Sequence, residues 1–173
     1  MNKNKRALII VDMQEFFLQH FTLEIKKELI KNQLKFIEFC KAQNISIILT
    51  EYKCRNIFRG EIITQIQRKI RGLVKGKVIK LHNSGFTKTD LDKQLKNLGV
   101  REIIIIGING NACVQDTVIG AIHRGYKVSV SKGLTASAGR KDFEFSKRNL
   151  EWFKSNTKFF ESQDGLIKYL LKS

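Results

Sequence analysis

Arg101-Glu-Ile-Ile-Ile-Ile-Gly107 (REIIIIG), followed by Ile108-Asn109-Gly110-Asn111 and then Ala112-Cys113, decides the fold. The run is apolar without alternation, which suits a parallel strand covered on both faces and placed in the middle of a sheet. The Gly and Asn turn breaks it, and a helix is expected from Ala112 or Cys113 to Arg124, closed by Gly125. The unit is strand, turn, helix, with a cysteine where the helix opens.

The same alternation extends in both directions. Upstream, Arg6 to Asp12 (RALIIVD) reads as a strand, Thr22 to Asn44 as a helix with Leu23, Leu29, Ile30, Leu34, Phe36 and Ile37, and Ile45 to Thr50 as a strand. A helix over Glu61 to Arg71 leads to a strand at Val78 to Leu81. Thr89 is the expected N-cap of a helix that stops at Gly99. Downstream, Lys127 to Ser131 is a fifth strand, and Arg140 to Ser155 a helix through Phe143, Leu150 and Phe153. Lys158 to Glu161 is a sixth strand, and Asp164 to Leu171 a final helix. No linker or repeat interrupts the pattern, so residues 1–173 form one doubly wound α/β domain with a mostly parallel sheet. Ligands of such folds bind beyond the carboxyl ends of the strands.

Three side chains stand at those ends: Asp12, Lys80 and Cys113. A thiol becomes a good nucleophile as its pKa falls, and a helix N-terminus beside a cation favours the thiolate. Asp12 is placed to take the thiol proton as general base, with Lys80 orienting the carboxylate. The turn before Cys113 leaves backbone N–H groups free to meet an oxyanion, with Asn109 and Cys113 as the expected donors. The plainer alternatives are a buried Cys113 acting as a small hydrophobe, an Asp12 that caps a loop, and a Lys80 on an edge strand.

Composition narrows the class further. Lys and Arg number 32 against 16 Asp and Glu, a net charge of +16 that raises the question of polyanion partners. The lysines are spread along the chain, and there is no nucleic-acid module and no basic stripe interleaved with aromatics. Specific nucleic-acid binding is therefore not expected. The apolar stretches are far shorter than the roughly 20 residues that cross a bilayer, so no membrane segment is expected. Asp12 interrupts the apolar run behind the basic Met1 to Arg6, which argues against a signal peptide and for a cytoplasmic protein. Three cysteines without regular spacing, Cys40, Cys54 and Cys113, argue against a disulfide framework.

Asp12-Met13-Gln14 with Phe17, Lys80-Leu81-His82-Asn83-Ser84-Gly85-Phe86, and Gly107 to Val114 with Thr117, Ala121, Gly125 and Tyr126 resemble the isochorismatase-like cysteine hydrolases. These include nicotinamidases, N-carbamoylsarcosine amidohydrolases and ureidoacrylate hydrolases. The resemblance spans Ala7 to about Leu170 and implies a six-stranded, mostly parallel sheet between helices, in a three-layer α/β/α fold. It implies a catalytic triad of Asp12, Lys80 and Cys113, a cis peptide at Ile108–Asn109, a substrate-packing role for Phe17, and assembly as a homo-oligomer. Nicotinamidases carry a metal-binding Asp and His cluster after the second strand. Here that stretch is Thr50-Glu51-Tyr52-Lys53-Cys54-Arg55, and His20, His82 and His123 lie elsewhere, so neither a metal nor another cofactor is expected. Gly110 and Gly133 also depart from the family pattern, where Thr and Asp are usual.

Family members that cleave the vinyl ether of isochorismate can do without the cysteine, so Cys113 favours acyl chemistry on a small amide-like substrate. The basic surface would speed the encounter with an anionic one. The rival readings are a catalytically silent relative that binds a small ligand or protein partner, and a basic polyanion-binding protein.

Overall fold

The strand order reverses beside the first strand, and that reversal creates the place where the chemistry of the chain gathers. The computed structural model of the chain describes residues 5–53, 62–137, 140–141 and 147–172. Strands β1 (Arg6–Val11), β2 (Ser46–Tyr52), β3 (Val74–Lys80), β4 (Glu102–Ile108), β5 (Lys127–Ser131) and β8 (Lys158–Phe160) run in the order β3-β2-β1-β4-β5-β8. All neighbours on this path are parallel. The order steps outward one way from β1 to β3 and the other way from β4 to β8, so a crevice opens beyond the ends of β1 and β4.

Burial explains why these segments are strands. Every residue of β4, and Ala7 to Val11 of β1, is buried, as continuous apolar runs in a covered sheet require. Alternate residues enter two separate cores. Leu8, Ile10, Ile104 and Ile106 face one core, under α2 (Leu23–Ala42), α3 (Thr64–Ile70) and α7 (Gln163–Lys172). Ala7, Ile9, Ile103 and Ile105 face the other, under α4 (Leu91–Asn97), α5 (Gln115–Ile122) and α6 (Lys147–Asn156). Two helical layers thus sandwich one sheet, and Phe36 and Phe153 fill them with no exposed surface. Thr22 caps α2 by accepting the Ile25 amide at 3.3 Å.

Several expectations need correcting. The six parallel strands of this path are the expected sheet, and two short strands extend it: β6 (Thr135–Ser137) pairs with β4, and β7 (Arg140–Lys141) pairs antiparallel with β6. Arg140 and Lys141 are therefore strand, not the start of a helix: β6 offers a free edge that captures them, and α6 opens only at Lys147. Phe143, Cys54 and Glu61 lie outside the described residues. β3 starts earlier than expected, at Val74, since an edge strand tolerates the exposed Lys75 and Lys77. Asp90, not Thr89, is the N-cap residue of α4, while the Thr89 hydroxyl donates to the Gly85 carbonyl at 2.5 Å. A short helix α1 (Glu15–Leu18) was not foreseen.

Candidate active site

Asp12 follows β1 in a left-handed backbone conformation, φ 51°, which Asp tolerates better than most residues. The turn directs the carboxylate back under the sheet end, where it is 1% exposed. Two side chains from neighbouring strands meet it. Thr50 of β2 donates its hydroxyl to Oδ1 at 3.1 Å. Lys80, the last residue of β3, places Nζ 2.6 Å from Oδ2 and has no exposed surface. Lys80 also donates to the carbonyls of His82 at 3.1 Å and Asn83 at 2.9 Å. A buried charge without a partner is costly, and here each charge answers the other. Lys80 is indeed on the edge strand, yet its side chain turns inward rather than to solvent.

Cys113 arrives from β4. Gly107 has φ 128°, and a Cβ there would stand 2.1 Å from the Val11 carbonyl oxygen, so only glycine lets β4 pass β1 at this point. The Ile108–Asn109 peptide is cis. The chain then enters a single π-helical turn, Gly110–Val114, that leads into α5. The helical segment thus begins two residues before the expected Ala112, as a wider turn of the kind often found at functional sites. The Asn109 carbonyl accepts the amides of Ala112 and Val114, and the Ser137 hydroxyl accepts that of Asn111. Thr117 ties the turn down by donating to the Cys113 carbonyl at 2.6 Å and accepting the Gly85 amide at 2.9 Å.

The Cys113 thiol has both Asp12 and Lys80 as hydrogen-bonding neighbours, and its sulfur is 3.9 Å from Oδ1 of Asn83. Three residues far apart in sequence therefore meet beyond the carboxyl ends of β1, β3 and β4. The electrostatics differ from the expectation of an acidified thiol. Burial, reinforced by the negative Asp12, pushes the Cys113 thiol up to about 12 despite the opposing Lys80. The helix-turn and cation effects do not overcome desolvation in this pocket. Burial likewise raises Asp12 above the ordinary carboxylate range, with Lys80, Cys113 and Thr50 pulling it back. Cys40, also a free thiol, is buried in the core and raised by burial alone.

Residues 6–160 match the family model described as the isochorismatase domain. The chain belongs to the isochorismatase family. It is 28% identical to nicotinamidase 3 of Arabidopsis thaliana, over 86% of this chain and 82% of that protein. It is 30% identical to the uncharacterized isochorismatase family protein YaaI of Bacillus subtilis, over 87% of this chain and 91% of that one. Its fold matches the crystal structure of an isochorismatase-like hydrolase from Alkaliphilus metalliredigens with a TM-score of 0.77, at 23% identity, covering 95% and 98% of the two chains. The protein is thus an isochorismatase-family hydrolase.

Phe17 is half-buried and packs edge to face on Tyr52, with ring centroids 6.1 Å apart, and Lys80 lies over the face of the Tyr52 ring at 4.7 Å. Gln14 fixes Tyr52 by accepting its amide at 2.8 Å and donating to its carbonyl at 3.2 Å. Thr50, Tyr52, Gln14 and Asn83 were not singled out from sequence as site residues, although each was quoted within a motif. Among the described residues, no group of three or more His, Cys, Asp or Glu side chains is arranged to hold a metal ion. His82 and His123 share a cleft with Asp116, while His20 lies beside Phe16. No helix of the described residues is long and apolar enough to cross a membrane. Gly133, one of the two departures from the family pattern, has φ 79°, a conformation that suits glycine.

Proposed function

We propose that this chain hydrolyses a small, amide-like C–N substrate through Cys113, Asp12 and Lys80, by way of a thioester. The observation that carries the reading is the buried Lys80–Asp12 pair, 2.6 Å apart, with the Cys113 thiol against both. The likeness to a nicotinamidase supports an amide as the substrate class.

In this reading the thiol is neutral at rest. Asp12, with its pKa raised by burial, accepts the Sγ proton as sulfur attacks the carbonyl carbon. The N–H groups of Asn109 and Cys113 hold the resulting oxyanion; the amides of Asn111, Ala112 and Val114 already have partners. Collapse breaks the C–N bond, and the departing amine takes the proton from Asp12. Water then loses a proton to Asp12 and attacks the thioester, and the leaving thiolate recovers that proton. Lys80 keeps the carboxylate ionised and aimed, and also donates to the His82 and Asn83 carbonyls. Phe17 and Tyr52 form an aromatic wall for a flat substrate. No cofactor enters the scheme. An anionic substrate would gain from the +16 charge of the chain. Homo-oligomeric assembly is a further expectation, read by mass photometry.

The test is ammonia release from nicotinamide and a panel of small primary amides, with acid-quenched intact-mass analysis and hydroxylamine trapping. A turned-over amide should leave an acyl adduct on Cys113 and yield a hydroxamate, and Cys113→Ser should abolish both. Turnover unchanged in Cys113→Ser would overturn the mechanism. Absence of turnover and adduct across the panel, with tight binding of one compound, would favour the silent binder.

A further inference from the structure

We infer that the chain carries a second binding site, for the linked phosphates of a small polyphosphate anion, in a basic cleft at the amino ends of β4 and β5. The cleft has a volume of about 430 Å³ and is lined by Lys96, Arg101, Arg124 and Lys127 around Tyr126 and Glu102. It lies at the opposite end of the sheet from Cys113. Glu102 and Lys127 open their strands, whereas Asp12, Lys80 and Cys113 stand at strand ends. The length of β4, at about 3.3 Å per residue, separates the two sites by roughly 20 Å. The proposal therefore stands independently of amide hydrolysis.

The cations of the cleft gather where the chain enters β4 and β5, with Lys5 nearby at the entry to β1. The Arg101 amide donates to the Lys5 carbonyl and the Lys127 amide to the Arg101 carbonyl, each at 3.0 Å. Lys5, Arg101 and Lys127 thus lead into three adjacent parallel strands, about 4.8 Å apart. In register Lys127 stands opposite Glu102, while Arg101 lies beside Lys5; the nearby acids relieve these cations only in part, Asp92 lying within reach of the Arg124 charge. Glu102 is buried and accepts from Arg6 at 2.8 Å and from Ser129 at 3.1 Å. Asp92 accepts from Tyr126 at 2.8 Å and pairs with Lys96 at 2.7 Å. Among the described residues, no carboxylate forms an ion pair with Arg101, Arg124 or Lys127.

Arg124 is pre-set to complete the site. It donates through Nη1 to the Gly120 carbonyl at 2.9 Å and rests over the Phe86 ring at 4.9 Å, which leaves its remaining donors for a ligand. A guanidinium fixed in this way recognises phosphate oxygens with little loss of freedom. A string of linked phosphates reaches several of these cations at once. The confinement of Lys96, Arg101, Arg124 and Lys127 to one cleft favours a small anion over an extended nucleic acid.

The experiment is calorimetric titration of the full chain with inorganic tripolyphosphate and with ATP at 50 and 150 mM NaCl, alongside an amide-resolved NMR titration. Both anions should bind, and the signals of Arg101, Gly125 and Lys127 should move. The double variant Arg101→Gln/Lys127→Gln should bind about tenfold or more weakly, while Lys31→Gln/Lys168→Gln stays within about twofold of wild type. Equal affinity for the two anions means that the phosphates alone are read, and tighter ATP binding means that the nucleoside is read as well; both support the site. Failure of both anions to bind, signals moving elsewhere, or equal weakening by the two double variants would overturn it. So would a 20-nucleotide single strand that binds where neither small anion does.

Discussion

Replacing Lys80 with methionine keeps the length of the side chain and removes its charge, which isolates Asp12. Lys80 has no exposed surface and Asp12 only 1%, so solvent cannot take over the lost interaction. Breaking a buried pair by deleting one partner costs about 3–5 kcal/mol. Two hydrogen bonds to the His82 and Asn83 carbonyls go with it. The cost should depend on pH, with a definite sign. Lys80 opposes the upward push of burial on Asp12, so its removal raises the carboxyl further. A folded-state pKa above the unfolded one makes stability fall as pH rises between the two values. Urea unfolding followed by the fluorescence of Trp152, the one tryptophan, gives the midpoint and slope. At pH 8 the variant should lose about 3–5 kcal/mol, and at pH 5.5 at least about 1 kcal/mol less. Asp12→Asn/Lys80→Met should be more stable at pH 8 than Lys80→Met alone. A penalty below about 1 kcal/mol at pH 8, a penalty equal at both pH values, or a double variant no better than the single one would refute the reasoning.

Thr50→Val removes the hydroxyl that donates to Asp12 at 3.1 Å while keeping the shape. A hydrogen bond to a charged group is worth about 1.5–3 kcal/mol, so the Asp12 carboxyl should titrate about one unit higher or more, by carbon-13 NMR. Cys113 stays protonated in the fold to about 12 against 9.0 for a free thiol, so the unfolded chain loses its proton first as pH rises. From pH 9 to 10 wild type should lose about 1 kcal/mol more stability than Cys113→Ser, a difference that grows by about 1.4 kcal/mol for each further pH unit until the folded thiol titrates. Gly107→Ala drives a Cβ against the Val11 carbonyl, and expression as soluble, cooperatively melting protein would contradict that contact.

Asp12 and Cys113 were legible in the sequence because each follows a short apolar run, and a doubly wound sheet brings such positions together. Lys80 was legible for the same reason, although its edge strand begins four residues before the expected Val78. The partners of these groups were not. Thr50 lies 38 residues from Asp12, and the pairing exists only because β1 and β2 are neighbours in register. The direction of the thiol shift was misjudged because sequence reveals a helix opening and a lysine but not the depth of burial that outweighs both. Arg140 and Lys141 escaped for a related reason: their strand exists only through the free edge of β6, which local preference cannot announce.

The side chain of Gln14 serves Tyr52 as a missing strand neighbour would, giving and taking one hydrogen bond each with its backbone. Gln14 is two residues from Asp12, and its amide donates to the Asp12 carbonyl at 2.7 Å. Through Gln14 the backbone of Asp12 is therefore tied to Tyr52, the ring on which Phe17 packs. A change at Gln14 would disturb both together.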